Sequence, residues 1–171
     1  MSTATMETSF TESGLAETTG SLQLVSFRLA DETYGIEITK IREIILIGEI
    51  TRIPQTPHYV KGLINLRSTV IPVIDLRARF DLPDAELTDE SRIMVLNVAG
   101  KTVGIVVDGV SEVLRVSNEH IAPPPATVAG LSNQYLDGLV KLEDQLLILL
   151  NIEKILAEES ETLAAAVAAA G

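Results

Sequence analysis

The stretch Leu24–Pro54, LVSFRLADETYGIEITKIREIILIGEITRIP, returns 69 residues later as Ile93–Pro123, IMVLNVAGKTVGIVVDGVSEVLRVSNEHIAP, aligned without a gap. Only Ala30, Thr33, Gly35, Ile36, Glu43 and Pro54 meet an identical residue, so identity proves little. The apolar pattern is what repeats: Phe27 falls on Leu96, Leu29 on Val98, Ile38 on Val107, Ile41 on Val110, Ile44-Ile45 on Val113-Leu114 and Ile47 on Val116. A second block matches at an offset of 76, with Gly62-Leu63-Ile64 on Gly138-Leu139-Val140 and Val70–Leu76 on Leu146–Ile152. Two blocks in the same order indicate duplication of one supersecondary unit.

Each unit reads as short strands joined by tight turns. Residues 22–29 and 34–38 alternate around Ala30–Thr33, and 93–98 and 103–107 flank Ala99-Gly100-Lys101, a hairpin signal. The chain then turns at Thr39-Lys40 and Asp108-Gly109 into strands near 44–47 and 113–116. Thr56-Pro57 and Ser132 read as N-caps of helical turns that stop at Gly62 and Gly138. Hairpins at 63–66 with 69–74 and at 139–142 with 146–150 follow. Pro72 lacks an N–H, which places its strand at an edge or a bulge. Asp75 and Asn151 are set to cap closing helices, Leu76–Phe80 and Ile152–Leu156.

Five short strands in about 60 residues close most economically into a small barrel, which removes exposed edges. The reading is all-β with short helices: two tandem five-stranded barrels packed side by side. Its boundaries are a disordered leader at 1–20, a first barrel at 21–80, an acidic linker at 81–91, a second barrel at 92–156 with its closing helix, and a mobile Ala-rich tail at 157–171. The linker carries Asp81, Asp84, Glu86, Asp89 and Glu90 and reads as solvated. Both tails are expected to be dispensable for folding.

Composition excludes several functions. The net charge of −11 argues against nucleic acid, which needs a Lys/Arg surplus. The tails hold six acids and no base, leaving 13 bases against 18 acids, or −5, for residues 21–156. There is no Cys, hence no disulfide framework, thiolate metal site or thiol nucleophile. No basic–apolar leader and no run of the ~18 apolar residues needed for a span occurs, so a cytoplasmic home without membrane insertion is expected. His58 and His120 fit no metal-ligand spacing. Gly100-Lys101-Thr102 lacks the first Gly of a phosphate loop, because Val95 stands there, and it joins two strands. Pro123-Pro124-Pro125 reads as a rigid connector. No convergent acid–base or nucleophile set appears, and neither enzyme activity nor cofactor or metal is expected.

One basic stretch stands out. Lys61, Arg67, Arg77 and Arg79 lie in 19 residues that contain a single acid, Asp75. Arg67 falls in a hairpin turn where packing needs no guanidinium, and the other repeat has Glu143 there. Its rigid fork suits a partner's carboxylate.

The runs Tyr34-Gly35-Ile36-Glu37-Ile38, Ile41-Arg42-Glu43-Ile44, Thr51-Arg52-Ile53-Pro54, Gly62-Leu63-Ile64-Asn65-Leu66-Arg67 and Ile71-Pro72-Val73-Ile74-Asp75-Leu76-Arg77 resemble the CheW family of chemotaxis coupling proteins. So do Val103-Gly104-Ile105-Val106-Val107-Asp108-Gly109-Val110 and Leu147-Ile148-Leu149-Leu150-Asn151-Ile152-Glu153-Lys154. The resemblance spans roughly residues 21–156; one departure is Ser68 where the family usually has Gly. It implies two SH3-like barrels and an adaptor that joins the regulatory domain of the histidine kinase CheA to the cytoplasmic tips of chemoreceptors, recruited to membrane-attached arrays. It also admits adaptor rings. Carried over by position, it implies a receptor-binding groove between the barrels involving Ile41, Glu43, Ile44, Gly62, Arg67, Val110 and Val113. The rival from another class is a small-molecule- or polymer-binding β-barrel protein.

Overall fold

A computed structural model describes residues 20–125, 127–128, 131–132 and 135–157. The first repeat supplies β1 (Ser21–Leu29), β2 (Glu32–Glu37), β3 (Ile41–Leu46), β4 (Val60–Leu66), β5 (Thr69–Asp75) and helix α1 (Leu76–Arg79). The second supplies β6 (Arg92–Val98), β7 (Lys101–Val107), β8 (Gly109–Ser117), β9 (Ile121–Ala122), β10 (Thr127–Val128), β11 (Leu131–Ser132), β12 (Leu136–Lys141), β13 (Leu146–Leu150) and α2 (Ile152–Ala157). The 69- and 76-residue offsets carry β1, β2 and β3 onto β6, β7 and β8, and β4 and β5 onto β12 and β13.

The strands form two large sheets, ordered β3-β6-β7-β5-β4 and β9-β12-β13-β2-β1-β8, with β10 and β11 as a separate pair. The five-stranded sheet therefore takes three strands of the first repeat and the leading hairpin of the second, and the six-stranded sheet four strands of the second repeat and the leading hairpin of the first. The exchange is made by two parallel ladders, β2 on β13 and β7 on β5. Leu149 pairs with Gly35 in one and Val73 with Gly104 in the other, and the offsets superpose these pairs. Residues 21–80 and 92–156 repeat one another, and the leading hairpin of each is hydrogen-bonded into the other's sheet.

Packing explains why the hairpins cross. Val25, Phe27, Leu29, Tyr34 and Ile36 from β1–β2 join Met94, Leu96, Val98, Val103, Ile105 and Val107 from β6–β7 in one central cluster, sealed by Leu76, Phe80, Ile152, Ile155 and Leu156. Burial pushes the Tyr34 hydroxyl up to about 12, with Glu32 adding to the effect. Two smaller cores lie on the opposite faces of the sheets: Ile64, Ile71, Val73, Ile93, Val95 and Val106 in one, Leu24, Val116, Val140, Leu147 and Leu149 in the other. Ile45 on edge strand β3 and Ile64 on edge strand β4 meet in the same small core, so that sheet curls round it.

The helix caps form as expected. Asp75 Oδ1 accepts from Arg77 N at 3.0 Å and Asn151 Oδ1 from Lys154 N at 3.0 Å. Each closing helix also pairs with a residue just past the incoming hairpin. Arg77 pairs with Asp108 at 2.8 Å, and Glu153, its counterpart, pairs with Lys40 at 3.1 Å with the charges reversed. Hydrogen bonding to Asp108 raises the Arg77 pKa.

Other expectations change. No helical turn runs from Thr56 to Gly62: the Thr56 hydroxyl donates to Ile53 O at 2.9 Å, and Gly62 lies inside β4 at a β-bulge. A Cβ on Gly62 would come within 2.2 Å of Thr51 O, and one on Gly138, at the matching bulge of β12, within 2.5 Å of Ile121 Cγ2. These glycines permit a neighbouring segment to cross, and they do not end helices. Ser132 belongs to β11, and residues 133–134 lie outside the described residues. Pro72 stands on an interior strand, one residue ahead of the ladder to β7, which starts at Val73. The acidic linker is irregular but anchored: Arg77 Nη1 donates to Pro83 O at 2.6 Å, Glu90 pairs with Arg28, and Leu82 packs on the central cluster. Both tails lie outside the described residues apart from Gly20 and Ala157.

Five buried hairpin side chains at roughly 1.5–3 kcal/mol each contribute on the order of 10 kcal/mol, comparable with the whole net stability of an ordinary domain. The halves 1–86 and 87–171 are therefore expected to be unfolded apart and to reconstitute when mixed, read by amide dispersion in NMR spectra. A cooperatively folded monomer of 1–86 alone would contradict the exchange.

Candidate functional site

The outer strands β3 and β8 each carry a bulge, between Ile41 and Glu43 and between Val110 and Glu112. Side chains alternate along a strand, and an extra residue resets the alternation. Ile41 pairs with Leu96 and Ile44 with Met94, while Val110 pairs with Phe27 and Val113 with Val25. All four partners belong to the central cluster, so the bulges turn Ile41, Ile44, Val110 and Val113 toward the same inter-sheet layer. Ile41 and Val110 pack against the cluster. Ile44 and Val113 share that face but remain 38% and 54% exposed. The result is an apolar seam whose members are duplicated at the 69-residue offset.

The charges on these outer strands are not duplicated. Arg67 and Glu43 form a two-pronged pair, Nη1 to Oε2 at 2.5 Å and Nη2 to Oε1 at 2.9 Å. Arg67 is largely exposed, and Glu43 is the more shielded partner. The hydrogen bonds from Arg67 hold the Glu43 carboxyl below its ordinary pKa, helped by the charges of Arg67 and Arg42, and Arg67 is raised in turn. Their counterparts in the second repeat, Glu112 and Glu143, are both acids.

Arg67 and Ser68 occupy the tip of the β4–β5 hairpin with φ of 53° and 68°. Two successive positive φ values define the turn that matches strand twist. The Asn65 carbonyl oxygen Oδ1 accepts from Ser68 N at 3.0 Å.

Of the seven residues carried over by resemblance, the structure joins Glu43 to Arg67 and gives Ile41, Ile44, Val110 and Val113 one facing. Gly62 is apart: it is buried, and its contribution is the close approach of Thr51. Sequence reading took Arg67 as a base available to a partner and missed its internal acid, 24 residues away on another strand. It placed Arg79 in the basic stretch without its ring partners: the guanidinium lies 5.8 Å and 5.2 Å from the ring centres of Tyr59 and Tyr135. Those tyrosines are related by the 76-residue offset, a signal present in the sequence. Arg79 therefore ties the two repeats together.

Among the described residues no group of His, Cys, Asp or Glu could hold a metal ion, and no helix is long and apolar enough to cross a membrane. His58 and His120 are surface side chains, His58 Nε2 lying 3.1 Å from Ala78 O.

Comparison with known proteins agrees across sequence and structure. The model of the CheW-like domain matches residues 23–160. A chemotaxis protein CheW of Klebsiella aerogenes is 42% identical over 153 residues, covering 90% of this chain and 92% of that protein. One from Treponema pallidum is 38% identical, covering 78% and 81%. Among solved structures, the scaffolding protein TtCheW from Thermoanaerobacter tengcongensis superposes with a TM-score of 0.73 at 35% identity, over 78% of this chain and 86% of that one.

Two outcomes follow. Replacing Arg67 by Gln should raise the Glu43 titration midpoint toward the ordinary value of about 4.3, followed by carboxyl-carbon NMR against pH. Because the folded-state pKa is depressed, the pair's stabilisation is present above the unfolded value and lost as pH falls through the folded one, so the stability gap between the two proteins closes in acid. An unshifted midpoint would show that the pair does not persist in solution. Second, the αL penalty for a side chain, on the order of 1–2 kcal/mol, exceeds the roughly 0.4–1 kcal/mol by which Gly loosens the unfolded chain. Ser68→Gly should therefore stabilise by about 0.5–1 kcal/mol, seen as a higher urea midpoint at unchanged slope.

Proposed function

Since the chain belongs to the CheW-like domain family, a family of non-enzymatic chemotaxis scaffolds, we propose that it couples chemoreceptor signalling tips to the regulatory domain of the histidine kinase CheA. It would do so in the cytoplasm, at membrane-attached receptor arrays. The observation that carries the receptor half is the seam: two symmetry-related aliphatic pairs, Ile41/Ile44 and Val110/Val113, continue the central cluster to the surface and stop there with Ile44 and Val113 exposed. An amphipathic helix laid along such a strip presents side chains at i, i+3, i+4 and i+7, a common mode of peptide recognition. Receptor tips are helical, and the fit is with one helix face.

The Glu43–Arg67 pair stands on β3 and the β4–β5 turn; Glu43 alternates with Ile44 and pairs with Val95 of a small core, so the pair borders the seam strand on its other face. Its guanidinium is already oriented by Glu43, so a partner carboxylate meets a fixed donor fork. Gly62 contributes by holding the backbone of β4.

The test is binding of a soluble chemoreceptor signalling-tip fragment and of the kinase regulatory domain, measured in parallel by calorimetry. Ile44→Glu and Val113→Glu each place a charge on the seam and should weaken receptor binding by roughly 10-fold or more, as truncations at the centre of an interface do. Kinase binding and the melting temperature should stay close to those of the unmodified protein. Arg67→Glu should act in the same direction by a smaller factor, because its guanidinium is largely exposed and already paired. Unchanged receptor binding in both seam variants would contradict the assignment.

A further inference from the structure

Arg28 lies near the end of β1, opposite Gly109 on β8. Its guanidinium is pressed onto that glycine so closely that a Cβ there would meet Nη2 at 2.2 Å. The backbone beneath it is fixed: Arg28 O accepts from Asp108 N at 3.0 Å, and the Asp108 carboxylate takes Ala30 N at 2.7 Å and Arg77. The guanidinium's polar partner is Glu90, brought across from the linker between the repeats. Arg28, Glu90, Arg92, Gly109 and Val110 line an open cleft of about 440 Å³, and Val110 is also a member of the seam. The lining holds two bases, Arg28 and Arg92, against one acid, Glu90, with Arg92 Nη1 donating to Asp89 O at 2.7 Å and Ser91 O at 2.8 Å, in a chain whose net charge is −11.

We propose that this cleft is a carboxylate-binding subsite at the Val110 end of the seam, and that Glu90 occupies Arg28 until an acidic side chain of the docked helix replaces it. The inference rests on the receptor reading of the seam and adds to it the chemistry of a second anchor. Three observations support the occupant. The cleft is contiguous with the seam through Val110, so a helix lying there carries its side chains to the cleft mouth. The local charge is positive against an acidic background, which favours an anion. The Arg28–Glu90 pair is half-exposed on the Arg28 side and more so on the Glu90 side, and exposed pairs are weak enough for an incoming carboxylate to displace. Glu90 sits on an irregular segment held by a Thr88–Ser91 turn, so its departure does not require a strand to move.

The experiment is a double-mutant cycle on Glu90 and Arg28, read with the receptor signalling-tip fragment. Glu90→Gln removes the internal competitor and should tighten binding about 2–5-fold, the scale of one exposed ion pair. Arg28→Gln should weaken binding by a similar factor and reduce its dependence on salt. In the Arg28→Gln background, Glu90→Gln should give no gain. A gain cannot come from misfolding, so the cycle stays decisive even if Arg28→Gln lowers stability. A Glu90→Gln protein that binds no better, or one whose gain survives without Arg28, overturns the subsite and leaves the seam standing. If Ile44→Glu and Val113→Glu also leave binding intact, the receptor reading falls and the subsite falls with it.

Discussion

The whole arrangement depends on two parallel ladders, β2 on β13 and β7 on β5, by which each repeat lends its first hairpin to the other. Parallel neighbours cannot be joined by a tight turn, and here they are joined by exchange. A hairpin inserted in this way has one face in the borrowed sheet's small core and the other against its counterpart. Leu24 lies in one of the small cores, whereas Val25 and Phe27 lie in the central cluster. The two halves thus share one interior, and neither can rearrange without the other. The ion pairs Arg77–Asp108 and Lys40–Glu153 clip each exchanged hairpin at its exit, with opposite polarity in the two copies. Only the helix members of the two pairs, Arg77 and Glu153, are related by the offset; Lys40 and Asp108 are not.

From this constraint follows the surface that matters. Because both hairpins meet in the middle, the strands beside them, β3 and β8, end the two sheets next to the shared cluster. One extra residue on each, at the bulges, turns two aliphatic side chains per strand toward that cluster, and the cluster is too small to cover the outer member of each pair. The seam is thus a by-product of core geometry, symmetric in its apolar part. The polar groups around it are not symmetric. Glu43 has Arg67, whereas Glu112 and Glu143 are both acidic, so related positions present different electrostatics.

Much of this was readable in the sequence, for definite reasons. Two-residue alternation and tight-turn residues gave the hairpins at Ala30 and Ala99-Gly100, and Asp75 and Asn151 were recognisable as caps because a short polar acceptor ahead of an apolar helical turn has few other uses. The offsets also matched Ile41 to Val110 and Ile44 to Val113. What the pattern could not convey was which copy each hairpin joins, since a repeat has the same periodicity whether its hairpin pairs at home or across. Gly62 was misread because a glycine after a helical turn and a glycine at a bulge look alike in one dimension. Pro72 was misread because the missing N–H matters only where a ladder is present, and the ladder starts one residue later. The Glu43–Arg67 pair joins an edge strand to a hairpin tip, a proximity created by the sheet's curl and carried by no local signal.

The central claim is that the exposed ends of the inter-sheet layer are where a receptor helix sits. Methyl-labelled Ile, Leu and Val give a probe at every seam position and throughout the three cores. Titrating the labelled protein with a receptor signalling-tip fragment should shift the Ile41, Ile44, Val110 and Val113 methyls most strongly, with Ile64 and Ile71 in a small core little affected. Shifts concentrated at the hairpin tips around Val70 and Leu146, with the four seam methyls unmoved, would contradict it.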